Sequence, residues 1–257
     1  MSHDVRNYAL VTAAYWGFTL TDGALRMLVL LHFYTLGYSP FEIALLFLLY
    51  EFFGIVTNAV AGWLGARFGL KVTLFAGLAL QVSALGALAG FDPTWPVGVG
   101  VAYVMASQAL SGIAKDLTKM SAKSAVKVLA PTGEQGQLFK WVAVLTGSKN
   151  ALKGAGFFVG GALLAGFGFQ GALLVMAGGL ALVLGISVLA LPGDLGHIKS
   201  KVKFRDVFSK SADINGLAAA RFFLFGARVL WFAVGLPPFL APVVGYGGRG
   251  AGGGGGT

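Results

Sequence analysis

Five cationic side chains and two carboxylates fall inside stretches of this sequence that are otherwise apolar. They are Arg26, Lys149, Lys153, Arg221 and Arg228 against Asp22 and Glu51, a surplus of three positive charges. Asp22 and Arg26 are four residues apart, so on a helix they share a face and can pair. Lys149 and Lys153 have the same spacing, with Asn150 beside them, so one anionic group could touch both lysines. Unpaired like charges in a low-dielectric medium are tolerated only beside a water-filled cavity or a bound anion. The chemistry these residues imply is therefore anion coordination. Arginine supplies a planar fork of donors to an oxyanion, and lysine supplies a point charge. The bland alternative, structural salt bridges plus snorkelling at helix ends, suits Arg221 well and Lys153 poorly. Lys115 and Lys119 could line the cavity mouth but are better read as solvated topology determinants.

These charges need membrane helices to hold them. Of the 257 residues 56% are hydrophobic and only 11% charged. The mean hydropathy is +0.78. A soluble domain carries about 25% charged residues, so this chain cannot coat a water-facing surface. The 40 glycines fit the same picture, since glycine is commoner in membrane helices than in soluble ones. The absence of cysteine excludes disulfides, thiolate metal sites and a cysteine nucleophile. No nucleophile constellation, paired carboxylates or metal cluster is evident, so no enzyme activity and no cofactor are expected. The net charge of +9 suggests nucleic acid at first sight. The basic residues sit mostly in short loops between apolar spans, however, and no nucleic-acid partner is expected.

Six apolar stretches approach the roughly 20 residues a membrane helix needs. They run over 8–34, 41–64, 72–91, 95–113, 141–167 and 171–191, and a further one covers 214–240. The first is too long for the core of a signal peptide and carries Asp22 and Arg26, so it reads as a retained helix. If the fifth helix starts near Trp141, Lys149 lies roughly 12 Å and Lys153 roughly 18 Å along it. Arg6, Arg67, Lys71, Lys115, Lys119, Lys123, Lys127 and the linker lysines flank alternate ends of the spans, while 35–40, 92–94 and 168–170 carry no Lys or Arg. That asymmetry predicts a cytoplasmic amino terminus. The expected fold is an all-α membrane protein, a six-helix bundle over 1–191 with the shape of two inverted three-helix repeats. A cytoplasmic linker over 192–213 and a seventh helix over 214–240 that starts a truncated second bundle follow. The residues 241–257 form a glycine-rich tail of low complexity.

Between the second and third spans the chain reads Gly62-Trp63-Leu64-Gly65-Ala66-Arg67-Phe68-Gly69-Leu70-Lys71. This resembles the major facilitator signature G-x-L-x-D-R-x-G-R-K. Gly62, Leu64, Arg67, Gly69 and Lys71 match, whereas Ala66 replaces the acid and Leu70 a base. Gly62 is expected to admit a neighbouring helix and Gly69 a tight turn, with Arg67 and Lys71 holding the loop at a cytoplasmic gate. Loss of the acid removes the charge pairing the resemblance would place there. In the fifth span, Gly156 and Gly160 form a small-xxx-small face whose plainest use is helix packing.

Four segments carry a narrower resemblance. They are Asp22-Gly-Ala-Leu-Arg26, Ala114-Lys-Asp-Leu-Thr-Lys119, Gly147-Ser-Lys-Asn-Ala-Leu-Lys-Gly154 and Arg221-Phe-Phe-Leu-Phe-Gly-Ala-Arg228. Together they resemble the organoarsenical efflux permeases of the major facilitator superfamily, the ArsJ family, up to about Arg228. The resemblance implies secondary active efflux of 1-arseno-3-phosphoglycerate across the bacterial inner membrane, and hence arsenate resistance. It also implies a functional link to glyceraldehyde-3-phosphate dehydrogenase, which makes that ester from arsenate. On this reading Arg26, Lys149, Lys153, Arg228 and Asn150 bind a small anionic organic substrate. Asp22 and Glu51 couple to protons or serve as ion-pair partners. The lack of cysteine fits a pentavalent ester, because trivalent arsenite calls for soft thiolates. The alternatives are another major facilitator carrier for organic phosphates, and a truncated membrane fragment that transports nothing.

Overall fold

The computed structural model describes residues 3–129, 135–191 and 211–230. Every described element is helical: α1 (His3–Thr35), α2 (Pro40–Leu46), α3 (Leu48–Phe68), α4 (Leu70–Ala89), α5 (Val97–Leu129), α6 (Gln135–Ala190) and α7 (Ala212–Leu230). Among the described residues four stretches are long and apolar enough to cross a membrane: Pro40–Phe68, Leu70–Ala89, Val97–Leu129 and Gly136–Ala190. The first of these joins α2 and α3 across Phe47, whose backbone (φ −95°, ψ −3°) leaves regular helix geometry. Ser39 starts α2 with a reciprocal capping box to Glu42, which satisfies donors that the first helical turn cannot satisfy itself.

One boundary departs from the sequence expectation. The fourth span does not stop at 113. α5 continues to Leu129, so Lys115, Lys119, Lys123 and Lys127 are helical residues and not loop residues. No glycine or proline interrupts this extension, and Leu117, Ala122, Ala125, Val126 and Leu129 keep its inner face buried. The label α6 covers two helices that meet at a kink, and these correspond to the fifth and sixth expected spans. The kink holds one non-helical residue, Gly168, at φ 66° and ψ −176°. That left-handed φ favours glycine, and it falls within the expected break at 166–168.

The two arms of α6 fold back on each other. Trp141 and Leu145 near its start share one apolar cluster with Leu180 and Leu191 at its finish, together with Val11, Phe18, Leu70 and Leu74. Phe169 and Leu173, just past the break, join Leu28, Phe33, Ile43, Leu88 and Phe91 in a second cluster. The bundle therefore has two apolar ends. On α1 the first cluster reaches Phe18 and the second begins at Ala24. Asp22 lies in the gap.

Close backbone packing sets the depth of α1 against α6. A Cβ added at Gly156 would lie 2.6 Å from the Leu20 carbonyl oxygen, and one at Gly23 would lie 2.6 Å from that of Lys153. Gly160 meets the backbone of Ala24 in the same way. This is the small-residue packing expected of the fifth span, and without a hydrophobic drive between helices such contacts are what hold membrane helices together. In α7 the described side chains Ile214, Leu217, Phe223 and Leu224 are exposed. The expected linker lies outside the described residues except for 211–213, and the expected tail lies wholly outside them.

Candidate functional site

The layer between the two apolar clusters is charged. Asp22, 4% exposed, accepts a hydrogen bond from the Tyr50 hydroxyl on α3 and lies 3.3 Å from Lys153 Nζ on α6. One turn along α1, Arg26 Nη2 lies 2.6 Å from Glu51 Oε1 on α3. The other oxygen of Glu51 is 3.2 Å from Lys115 Nζ on α5. Lys119 Nζ then lies 2.9 Å from Asp116 Oδ1. Asp22 and Arg26, spaced to pair with each other, instead find partners on other helices. An ion pair between neighbouring helices satisfies both charges while fixing helix against helix, which a pair within one helix cannot do.

Tyr50 is the hub of this layer. It is fully buried, and both Arg26 and Lys115 lie over its ring, at 4.4 and 4.1 Å from the centroid. A desolvated cation over an aromatic face gains about 2 kcal/mol, which offsets part of the cost of keeping these charges from water. Two glycines make room. Gly112 sits against the backbone of Tyr50, and a Cβ at Gly54 would lie 2.9 Å from Asp116 Oδ2 and 3.1 Å from Lys115 Nζ.

The expected site residues divide into three groups. Arg26, Lys153, Asp22 and Glu51 come together in the network just described. Lys149 is partly buried one turn before Lys153, within the fields of Lys119, Lys153 and Lys123 and, more weakly, of Asp22. Among the described residues no carboxylate lies within ion-pairing distance of it. Asn150 is exposed. Arg228 belongs to α7, but its side chain lies outside the described residues.

Reading the sequence missed Tyr50 and Asp116, and it misjudged Lys115. That lysine is not a solvated topology determinant, because its side chain is 18% exposed and is bound to Glu51. Tyr50 adjoins Glu51 in sequence, and Asp116 adjoins Lys115. The available signal was an ionisable or phenolic neighbour of a membrane-depth charge.

The residues of the signature loop lie together at the α3–α4 junction. Gly69, at φ 90°, makes the tight turn expected of it. Gly62 does not create a close helix contact. An added Cβ there would meet only Met120 Cε at 3.8 Å, whereas at Gly65 it would meet Leu70 Cδ2 at 3.1 Å. Arg67 lies over the rings of Trp63 and Phe68. Lys71 Nζ donates to the Leu191 carbonyl at 2.6 Å and so caps the far end of α6, where the partial negative charge of a helix terminus welcomes a cation.

Comparison with known proteins places this geometry. The model of the Major Facilitator Superfamily matches residues 10–255. Among solved structures, the chain is similar to a peptide transporter POT in complex with sulfate, with a TM-score of 0.62 at 20% identity over 94% of this chain and 49% of that one. A bacterial homologue of the human drug peptide transporters PepT1 and PepT2 gives 0.59 at 16% identity, over 95% and 55%. A POT family transporter in complex with a thioalcohol-conjugated peptide gives 0.58 at 18%, over 93% and 50%. The chain thus spans about half the length of these structures. No curated protein matches it in sequence.

Proposed function

The chain belongs to the major facilitator superfamily, and from that premise we propose that it supplies the first bundle of a secondary active transporter for an anionic organic ester. The observation that carries this reading is the charged layer itself. It sets cations on α1, α5 and α6 between two apolar clusters, and among the described residues no carboxylate lies within ion-pairing distance of Lys149. A cation of this kind in a membrane interior is stabilised by a substrate anion or by cavity water.

The substrate we propose is 1-arseno-3-phosphoglycerate, following the resemblance of the segments around Asp22, Lys115, Lys149 and Arg221 to organoarsenical efflux permeases. Its export would confer arsenate resistance and link the protein to glyceraldehyde-3-phosphate dehydrogenase. Arg26, Lys149, Lys153 and Arg228 serve as anion ligands, with Asn150 alongside. Asp22 and Glu51 are the carboxylates through which proton movement would couple, since each neutralises cations that the substrate also needs. The protein sits in the bacterial inner membrane with its amino terminus in the cytoplasm. Residues 1–191 form the bundle, 192–213 a linker, 214–240 the first helix of a second bundle and 241–257 a tail.

A second reading, a carrier of ordinary organic phosphates, rests on the same cations, because phosphate and arsenate esters are both hard oxyanions. Accumulation in everted vesicles separates the two. Uptake of the arsenic ester that a tenfold excess of 3-phosphoglycerate leaves standing supports the first reading. Uptake of 3-phosphoglycerate alone supports the second.

A further inference from the structure

Glu51 bridges cations from two other helices, one with each carboxylate oxygen. Arg26 Nη2 on α1 donates to Oε1 at 2.6 Å, and Lys115 Nζ on α5 donates to Oε2 at 3.2 Å. Both cations also lie over the one ring of Tyr50, the guanidinium carbon at 4.4 Å from its centroid and the ammonium nitrogen at 4.1 Å. These contacts fix Arg26 and Lys115 around one common space, and the Glu51 carboxylate fills it. Close helix packing holds the arrangement in place. A Cβ at Gly112, on α5, would collide with the Tyr50 carbonyl oxygen, and one at Gly54, on α3, would lie 3.1 Å from Lys115 Nζ.

Three features set this space apart from the rest of the charged layer. It can be reached: the side chains of Arg26, Glu51 and Lys115 are 26%, 18% and 18% exposed, whereas those of Asp22 and Asp116 are 6% and 5% exposed. Arg26 has donors to spare. It is bound to Glu51 through one nitrogen, and its buried Nε has no hydrogen-bond partner among the described residues. A guanidinium offers five N–H groups in a planar fork. The charges also do not balance. The ion pairs among the described residues set three carboxylates, Asp22, Glu51 and Asp116, against four cations, Arg26, Lys115, Lys119 and Lys153. The shortage falls on Lys115, which is shared between Glu51 at 3.2 Å and Asp116 at 3.9 Å.

We propose that Arg26 and Lys115 together bind a tetrahedral oxyanion, the phosphoryl or arsenyl end of the substrate, in the space that the Glu51 carboxylate fills, so that Glu51 is a built-in competitor for the site. This adds Lys115 to the anion ligands and rests on the reading above for the site's part in transport. A carboxylate and a phosphoryl group present oxygens to the same donors, an arginine fork and a lysine point charge, and only one of them can lie between the two cations. A site that its own side chain occupies binds a ligand more weakly, in proportion to the fraction of time it stands open. The sign of a substitution at Glu51 therefore separates two roles. Loss of a purely structural partner weakens the site, whereas loss of a competitor strengthens binding.

The test is binding of radiolabelled inorganic phosphate to the purified full chain in nanodiscs of zwitterionic lipid, at constant ionic strength. Glu51→Gln should bind phosphate at least tenfold more tightly than the parent. Asp92→Asn, which removes a carboxylate far from the site, should stay within twofold. Adding Lys115→Gln or Arg26→Gln to Glu51→Gln should return the affinity to the parent's level or below. Size-exclusion profiles and protease resistance establish that each variant is folded. Should Glu51→Gln not fold, Glu51→Asp decides by the same sign: it keeps the charge but is one methylene too short to reach both cations, and should tighten binding at least threefold. Equal or weaker binding by the folded Glu51 variant overturns the proposal, and so does a gain that survives Lys115→Gln. Absence of saturable binding in folded Glu51→Gln overturns it as well. Replacing a fifth of the lipid with phosphatidic acid should leave phosphate binding unchanged. Competition by that lipid would give the site to a headgroup and overturn its part in transport. Tighter phosphate binding by Glu51→Gln in a protein that moves no arsenic ester would keep this site and discard the arsenical substrate. Ester transport with phosphate binding indifferent to Glu51 would do the reverse.

Discussion

The Asp22 carboxylate on α1 and the Lys153 ammonium on α6 are 3.3 Å apart, at the level where the two helices touch through glycine. A Cβ at Gly23, beside Asp22, would lie 2.6 Å from the carbonyl oxygen of Lys153 itself. The packing contact and the ion pair are thus made by neighbouring residues on the same two turns, and the depth of one fixes the geometry of the other.

That coupling makes the pair testable by its stability. Removing one partner of a buried ion pair leaves an uncompensated charge and costs about 3–5 kcal/mol, whereas removing both is much milder. Asp22→Asn and Lys153→Met should each lower thermal stability in detergent strongly, and the double variant should recover most of the loss. Losses that simply add would show that the two groups do not interact.

The glycine contact makes a second expectation. Overpacking a tight interface costs about 1–3 kcal/mol. Gly156→Val and Gly160→Val should destabilise by at least this much, because an added Cβ meets the backbone of α1. Gly154→Val on the same helix should be tolerated, since nothing lies within 4 Å of a Cβ there. Equal melting temperatures for all three would remove the close α1–α6 packing from the account.

How much of this was legible depended on whether the cause was local. The turn at Gly168 and the small-residue face at Gly156 and Gly160 follow from glycine's lack of a side chain, which composition shows directly. The spans were visible as apolar runs, but their ends were not. Four lysines broke the hydropathy of α5, while its buried stripe of Leu117, Ala122, Ala125 and Val126 carried the helix to Leu129. The choice of ion-pair partners was out of reach. Spacing along α1 offered Asp22 to Arg26, but the helices standing opposite supplied Lys153 and Glu51 instead, and only the fold determines which helices those are. Lys115 looked solvated for the same reason, since its burial depends on α3.

Orientation is a separate prediction. Arg67, Lys71, Lys127 and Lys140 stand towards one end of the bundle, while the turns at Gly37, Asp92 and Gly168 at the other end carry no lysine or arginine. A reporter fused after Pro192 should be cytoplasmic, and one inserted at Asp92 should be external. A cytoplasmic signal from Asp92 would invert the proposed topology.

The central claim is that the cations of this bundle hold an exported anion. It is tested most directly by measuring how much 1-arseno-3-phosphoglycerate accumulates in everted vesicles. The transporter used has two bundles, with this chain supplying the first, and is compared with its Lys149→Gln variant at matched protein levels. An exposed, merely structural charge contributes at most about 1 kcal/mol, whereas loss of a desolvated ligand to an anion costs about 2–5 kcal/mol. The account predicts that Lys149→Gln inserts normally and loses at least thirtyfold in initial uptake rate at subsaturating ester. Uptake within twofold of the parent would contradict it and return Lys149 to a structural role.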